Sequence, residues 1–256
     1  MKVLMIGDVV GEAGCEFLCC RLPEIIKRLN IDVVIANGEN SAAGNGVSYK
    51  SVKKLVSAGV DVITTGNHAF RKKQAARLFS ECDFLLRPIN LPAGFSGHGV
   101  FVYDKGHFQL CIINVMGCAF MKMPSTSAFE SIEAVLAQHQ YPATVIDFHA
   151  ESTAEKKLLG FQVDGHVSAV VGTHTHVQTA DEQILPKGTA YISDLGMVGV
   201  CVSVLGADPT EIDFKAATDG FFQCKPAVGP HEINGVILTI DSTTGKAREI
   251  IRVKYL

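Results

Sequence analysis

The sequence predicts an α/β protein, a mainly parallel sheet covered by helices with further β-rich segments, in a single domain of residues 1–256. Three observations carry this. Short apolar runs alternate with helix-length segments through the first eighty residues. The stretch "HGVFVYDKGHFQLCIINVMG" holds two β-rich runs around Asp104-Lys105-Gly106, which reads as a hairpin. The end of the chain, "GVILTID…TGK…REIIRVKYL", reads as a second hairpin, so two sheets with outer helices are expected.

In chain order, Lys2 to Ile6 is a strand, Gly7 to Gly14 a glycine-bearing loop, and residues 15–29 a helix. "IDVVIANGEN" is a buried strand running into a polar loop, and residues 48–58 are helical. "DVITTGNH" repeats the pattern, followed by a helix from Arg71 to Phe79. After the first hairpin come a helix at 127–138, the strand "TVIDFH", a short helix at 153–160 and the strand "VSAVVG". "GTAYISDLG" and the terminal hairpin add the remaining strands. There is no internal repeat, low-complexity tract or obvious linker.

Composition narrows the class. Hydrophobic residues make up 47% and charged residues 19%, as in an ordinary globular protein with a sizeable core. A net charge of −3 does not suggest nucleic acid or an anionic membrane as partner. No apolar run reaches the length of a membrane span, and Gly7 and Asp8 interrupt the N-terminal apolar stretch, so a first strand and a cytoplasmic protein are expected. The eight cysteines form no C-x-x-C pair, and several sit in apolar runs, as reduced core thiols do.

The chemistry lies where the strands end. Strand one ends at Asp8, strand two at Asn37-Gly38-Glu39-Asn40, strand three at Gly66-Asn67-His68, "TVIDFH" at His149, and "VSAVVG" just before His174 and His176. In a parallel sheet such ends share one edge, where ligand sites form. Each residue alone has a plain explanation, a helix cap for Asp8 or a turn for Asn67. Five strand ends supplying carboxylate, imidazole or amide together point to a metal site. Those donors, with no thiolate, suit Mn, Fe or Zn. About seven of them exceed one tetrahedral shell and fit two ions about 3.5–4 Å apart, for which Glu39 is the natural bridge. Gly7, Gly38, Gly66 and Gly172 are expected to let the backbone turn sharply at these ends.

These motifs resemble the calcineurin-like metallophosphoesterases: "GD" after the first strand, "GNH" after the third, a lone later His, and "GTHTH". Two departures, Val9-Val10 where a first His is usual and "NGEN" where an aspartate usually bridges, make the chain similar to the YmdB-like branch. "GDVVGEAG", "NGENSAAGNG", "GTHTHVQTAD" and "SDLGMVG" extend the likeness over nearly the whole sequence. The resemblance implies two packed β-sheets flanked by helices, a four-layer αββα sandwich. It implies two divalent ions per chain, Fe or Mn first and Zn also suitable. Asp8, Glu39, Asn40 and His176 would hold one ion, and Glu39, Asn67, His149 and His174 the other, with Asn40 standing in for the missing His. It implies hydrolysis of cyclic nucleotides, 2',3' or 3',5', or related phosphodiesters by a hydroxide between the ions, with His68 as general acid. A small phosphodiester and further copies of the chain in a homo-oligomer are the expected partners.

Other readings fit less well. In amidohydrolases the H-x-H pair follows the first strand, whereas here it lies at residues 174–176. "GDVVGEAG" lacks the G-x-G-x-x-G spacing of a dinucleotide site. A metal-bearing, nucleotide-sensing regulator with little turnover is the alternative to an enzyme. Phe214, Phe221 and Phe222 are read as core, with base stacking as the other use. The basic residues of "FRKKQAARLF" are read as a solvated helix face.

Overall fold

A computed structural model describes residues 1–123, 125–138, 141–212 and 225–256. Strand side chains alternate between faces, and here both faces of most strands are apolar. In β1 (Lys2–Val9), Leu4 and Ile6 enter one core while Val3 and Met5 enter another. This strand is therefore central, with a layer on each side. It pairs in parallel with β2 (Val33–Asn37) and β10 (Met197–Val200), and β2 pairs in parallel with β3 (Val62–Thr64). The hairpin of β11 (His231–Ile240) and β12 (Ala247–Tyr255) completes a six-stranded sheet of order β12-β11-β10-β1-β2-β3, in which β11 also pairs antiparallel with β1.

The second six-stranded sheet has the order β4-β5-β6-β7-β9-β8. Its members are β4 (Val100–Asp104), β5 (Gln109–Met116), β6 (Thr144–His149), β7 (Ala169–Thr173), β8 (Gln183–Ile184) and β9 (Ala190–Ile192). β5, β6, β7 and β9 run parallel, while β4 and β8 close the edges antiparallel.

The sheets pack face to face. Val3, Met5, Val33, Ile35 and Val62 of the first meet Leu110, Ile112, Val145, Val171 and Ile192 of the second in one buried core. The outer face of the first sheet is covered by α1 (Gly11–Leu29), α2 (Tyr49–Ala58) and α3 (Ala75–Glu81), through Leu18, Leu22, Val52, Leu55 and Leu78. The outer face of the second is covered by α4 (Ala128–Gln138) and α5 (Thr153–Gln162), through Ile132 and Leu159. The architecture is the four-layer sandwich of two sheets between helices. No helix among the described residues is long and apolar enough to cross a membrane.

Several expectations are corrected. α1 begins at Gly11, and the expected long loop shrinks to Val10, its N-cap, with no side-chain cap, so Asp8 is not a helix cap. α3 begins at Ala75, so Arg71 to Gln74 precede it. β8 and β10 had no sequence signal strong enough to predict them: β8 has two residues, and β10 follows a polar turn. The donors lie on the ends of two sheets, not one. Because β1, β2 and β3 run parallel, as do β5, β6 and β7, all six end at the same rim of the sandwich, with Asp8 opposite Asn37, Asn37 opposite Thr64, and His149 opposite Thr173. Phe214, Phe221 and Phe222 lie outside the described residues.

Candidate metal centre

At this rim the first sheet delivers oxygens and the second delivers nitrogens. Asp8 leaves β1 fully buried. Beyond β2, Asn37 Oδ1 accepts from the Glu39 backbone N–H at 3.0 Å, a local turn that swings Glu39 back into the rim. Glu39 is fully buried, and its Oε2 accepts the His68 N–H at 3.0 Å, tying the second strand's loop to the third's. Asn67 Oδ1 stands 2.9 Å from His149 Nε2. The same His149 Nε2 is 3.2 Å from Glu39 Oε1 and 3.1 Å from His174 Nδ1. A ligand atom from each of Glu39, His149 and His174 falls within 4.8 Å of the others. Beside them, His176 Nε2 lies 3.7 Å from Asp8 Oδ1 and 3.1 Å from Asn40 Nδ2, which is itself 3.3 Å from Asp8 Oδ1. The structure thus brings together all seven expected ligands in two adjoining groups, and His68 with them.

The remaining nitrogen of each histidine is committed elsewhere, which fixes the tautomer. Thr173 Oγ1 donates to Asp147 Oδ1 at 2.7 Å, so toward His149 Nδ1, 3.0 Å away, it can only accept. His149 therefore carries its proton on Nδ1, and Nε2 is left facing the cluster. His174 Nε2 is held 3.0 Å from Glu151 Oε2, leaving Nδ1 inward. His176 Nδ1 donates to the Leu205 carbonyl at 3.1 Å, leaving Nε2 inward. His174 and His176 have φ of 105° and 64°, left-handed values that are costly away from glycine and typical of functional sites. They turn successive side chains toward different groups.

The charges indicate what the cluster lacks. Burial opposes ionisation of Glu39, but the charge of His149 and the rings of His149 and His68 outweigh it and hold the carboxyl well below its usual value. Burial likewise opposes ionisation of Asp8, and the adjacent ring and charge of His176, with the charge of His149, overcome it. Burial alone would depress His149, yet Glu39 and Asp8 lift it to about 9. Burial and the charge of His149 push His174 down to about 3. Two buried carboxylates therefore draw positive charge into the rim, here as protons on imidazoles. Glu39 Oε1 is buried without a hydrogen bond although His68 Nδ1 and His149 Nε2 stand 3.1 and 3.2 Å away, because neither N–H is aligned on it. An orphaned carboxylate oxygen among ring nitrogens fits a divalent cation.

Two expectations need adjusting. Asn40 directs Oδ1 to His68 Nδ1 at 2.8 Å and Nδ2 to the cluster, so as placed it donates where a ligand would accept. The expected sharp turns occur at Gly38 and Gly66, whose carbonyls accept the Ser41 N–H at 3.0 Å and the Ala69 N–H at 3.1 Å, but not at Gly7 and Gly172, which lie within β1 and β7. Close approach is a second reason for glycine here: a methyl at Gly66 would stand 2.0 Å from His149 Cδ2, and one at Gly172 would stand 1.8 Å from the Ser193 carbonyl oxygen.

The supporting groups were not identified from the sequence. Asp147 and Asp194 do leave a trace, as acids inside the apolar runs "TVIDFH" and "YISDLG". Lys156 leaves another, since it shares the i, i+3, i+4, i+7 stripe of α5 with Leu159, Gly160 and Val163, all buried. Thr173 and Glu151 leave none.

The sequence model of the YmdB-like protein family matches residues 4–253. This chain belongs to that family. Among YmdB-like relatives it is 40% identical over 255 residues, 99% of this chain and 96% of the other, to the 2',3'-cyclic-nucleotide 2'-phosphodiesterase of Bacillus subtilis strain 168. Two solved structures superimpose over all of this chain. One is a hypothetical protein from Thermus thermophilus, at TM-score 0.91 and 37% identity over 99% of that chain. The other is described as a novel phosphatase from Mycoplasma pneumoniae, at TM-score 0.92 and 32% identity over 93% of that chain. A NAD nucleotidase from Haemophilus influenzae shares the fold alone, at TM-score 0.62 and 11% identity, with 56% of its chain covered.

Proposed function

We propose that this chain, a phosphoesterase of the YmdB-like family, is a two-ion phosphodiesterase acting on cyclic nucleotides, 2',3' or 3',5'. The observation that carries the reading is the convergence of His149 Nε2, His174 Nδ1 and His176 Nε2, each with its other nitrogen committed, on the oxygens of Asp8, Glu39 and Asn67. The name of the Bacillus subtilis relative supports the 2',3'-cyclic class.

Asp8, Glu39 and His176 would hold one ion, and Glu39, Asn67, His149 and His174 the other. Asn40 would join the first only by exchanging the two ends of its amide. Mn, Fe or Zn suits this oxygen-and-imidazole set, and the family resemblance puts Fe or Mn first. When bound, such ions would offset the negative charge carried by the phosphoryl oxygens and would acidify water near neutral pH. Glu39 supplies both oxygens of a buried carboxylate and so can serve both groups at once. Glu151, Thr173 and the Leu205 carbonyl orient the three rings.

His68 has a different task. Its Nδ1 donates to Asn40 Oδ1 at 2.8 Å, its side chain is 24% exposed, and Nε2 has no hydrogen-bond partner among the described residues. That atom is placed to give a proton to the leaving ribose oxygen, a contribution of roughly 10²- to 10⁴-fold. Mn²⁺-dependent hydrolysis of a 2',3'-cyclic nucleotide and of bis-p-nitrophenyl phosphate, with p-nitrophenyl phosphate as the monoester control, tests the reading. Diester cleavage is expected; metal-loaded protein that cleaves none of them would be a nucleotide-binding regulator instead.

A further inference from the structure

We infer that the buried ion pair of Lys156 and Asp194 is a positioning device for the His174 turn; the inference rests on the metal reading above. Lys156, on α5, and Asp194, just beyond β9, have side chains 3% and 1% exposed, with Nζ and Oδ2 2.8 Å apart. A buried ion pair is weak as a source of stability, because desolvation offsets its attraction, so its placement calls for another explanation. Both groups reach the backbone on either side of His174. Lys156 Nζ donates to the Thr173 carbonyl at 2.9 Å, and Asp194 Oδ2 accepts from the Thr175 N–H at 3.1 Å. The residue between them has φ of 105°. Two charge-assisted hydrogen bonds thus bracket the strained residue whose ring must face His149.

The bracket is itself anchored. Asp194 Oδ1 accepts from the Gly196 N–H at 2.9 Å, and the Asp194 N–H donates to Thr179 Oγ1 at 2.9 Å. Gly172 lets β7 close on this segment, since a methyl there would meet the Ser193 carbonyl and stand 3.0 Å from Lys156 Cδ. Neither charged side chain bonds a side chain of the cluster among the described residues, so the pair acts through the backbone. It sets where His174, and His176 two residues on, can point.

The test is Co²⁺ titration of chelator-stripped protein, read by affinity and visible spectrum, in wild type and in Lys156→Met/Asp194→Leu, with thermal unfolding of both. Exchanging a buried ion pair for apolar residues is often neutral or stabilising. A purely structural pair therefore predicts a folded variant with wild-type Co²⁺ binding. Positioning predicts a folded variant whose Co²⁺ affinity falls about tenfold or more and whose d–d bands change. A folded variant with unchanged affinity and spectrum overturns the inference. A wild type that binds no Co²⁺ removes the metal reading and this inference with it. If the double variant does not fold, hydrogen exchange of the wild type decides. A Thr175 amide that exchanges only by global unfolding supports the bracket, and exchange through local opening overturns it.

Discussion

Replacing Thr173 by valine removes one oxygen and keeps the shape. In the structure that oxygen receives His149 Nδ1–H at 3.0 Å and gives its own proton to Asp147 at 2.7 Å. Both partners are buried, His149 fully and Asp147 at 2% exposure, so water cannot take over either bond. Asp147 keeps the Thr64 hydroxyl. His149 Nδ1 keeps only the Asn37 amide nitrogen at 3.3 Å, a donor facing a donor. Stranding a buried polar group costs about 1–3 kcal/mol, so two weakened groups imply a loss of roughly 2–4 kcal/mol in the metal-free protein. Loss of such an orienting partner lowers metal affinity by about 10- to 100-fold. Urea unfolding of the stripped protein measures the first effect and Mn²⁺ titration the second. A Thr173→Val protein within about 0.5 kcal/mol of wild type and with unchanged Mn²⁺ affinity would refute the relay.

Three other outcomes follow from the same geometry. His68→Ala is expected to keep its metal and lose roughly 10²- to 10⁴-fold in kcat on a cyclic nucleotide, but far less on bis-p-nitrophenyl phosphate, whose nitrophenolate departs without a proton; equal losses on both would argue against proton donation. Because His149 is held at about 9 without metal and must be neutral to bind a cation, loading at pH 7 should release about one proton or more per chain, and affinity should rise with pH toward 9; calorimetry in buffers of different ionisation enthalpy would contradict this if it found no proton release. Gly66→Ala, whose new methyl would collide with the His149 ring at 2.0 Å, should displace that ring and abolish metal binding, and a folded variant with wild-type metal content would contradict the packing argument.

Much of this site was legible before any coordinates, because its donors sit at strand ends and strand ends are marked by a change from apolar to polar residues. Asp8, Glu39, Asn67, His149, His174 and His176 could each be located that way, but their division into two groups comes only from the family resemblance, since His174 and His176 follow the same strand and fall in different groups. That the donor-bearing strands divide between the two expected sheets and end at a common rim was less legible: β1, β2 and β3 pair with one another, as do β5, β6 and β7, and both sets read as similar apolar runs. Gly38 and Gly66 were legible as turn glycines, but sequence shows only a missing side chain and not the ring or carbonyl that takes its place at Gly66 and Gly172. The orienting groups were hardest. Thr173 is one more β-branched residue in a strand until its two hydrogen bonds are seen, and Lys156 matters only because Thr173 and Asp194 lie within its reach.

Counting ions bears most directly on the central claim, that Glu39 joins two groups of ligands around two ions. Chelator-stripped protein reloaded with Mn²⁺ should carry two ions per chain by elemental analysis, and Glu39→Ala should carry at most one and hydrolyse no diester. A folded Glu39→Ala protein holding the full two ions would contradict the account.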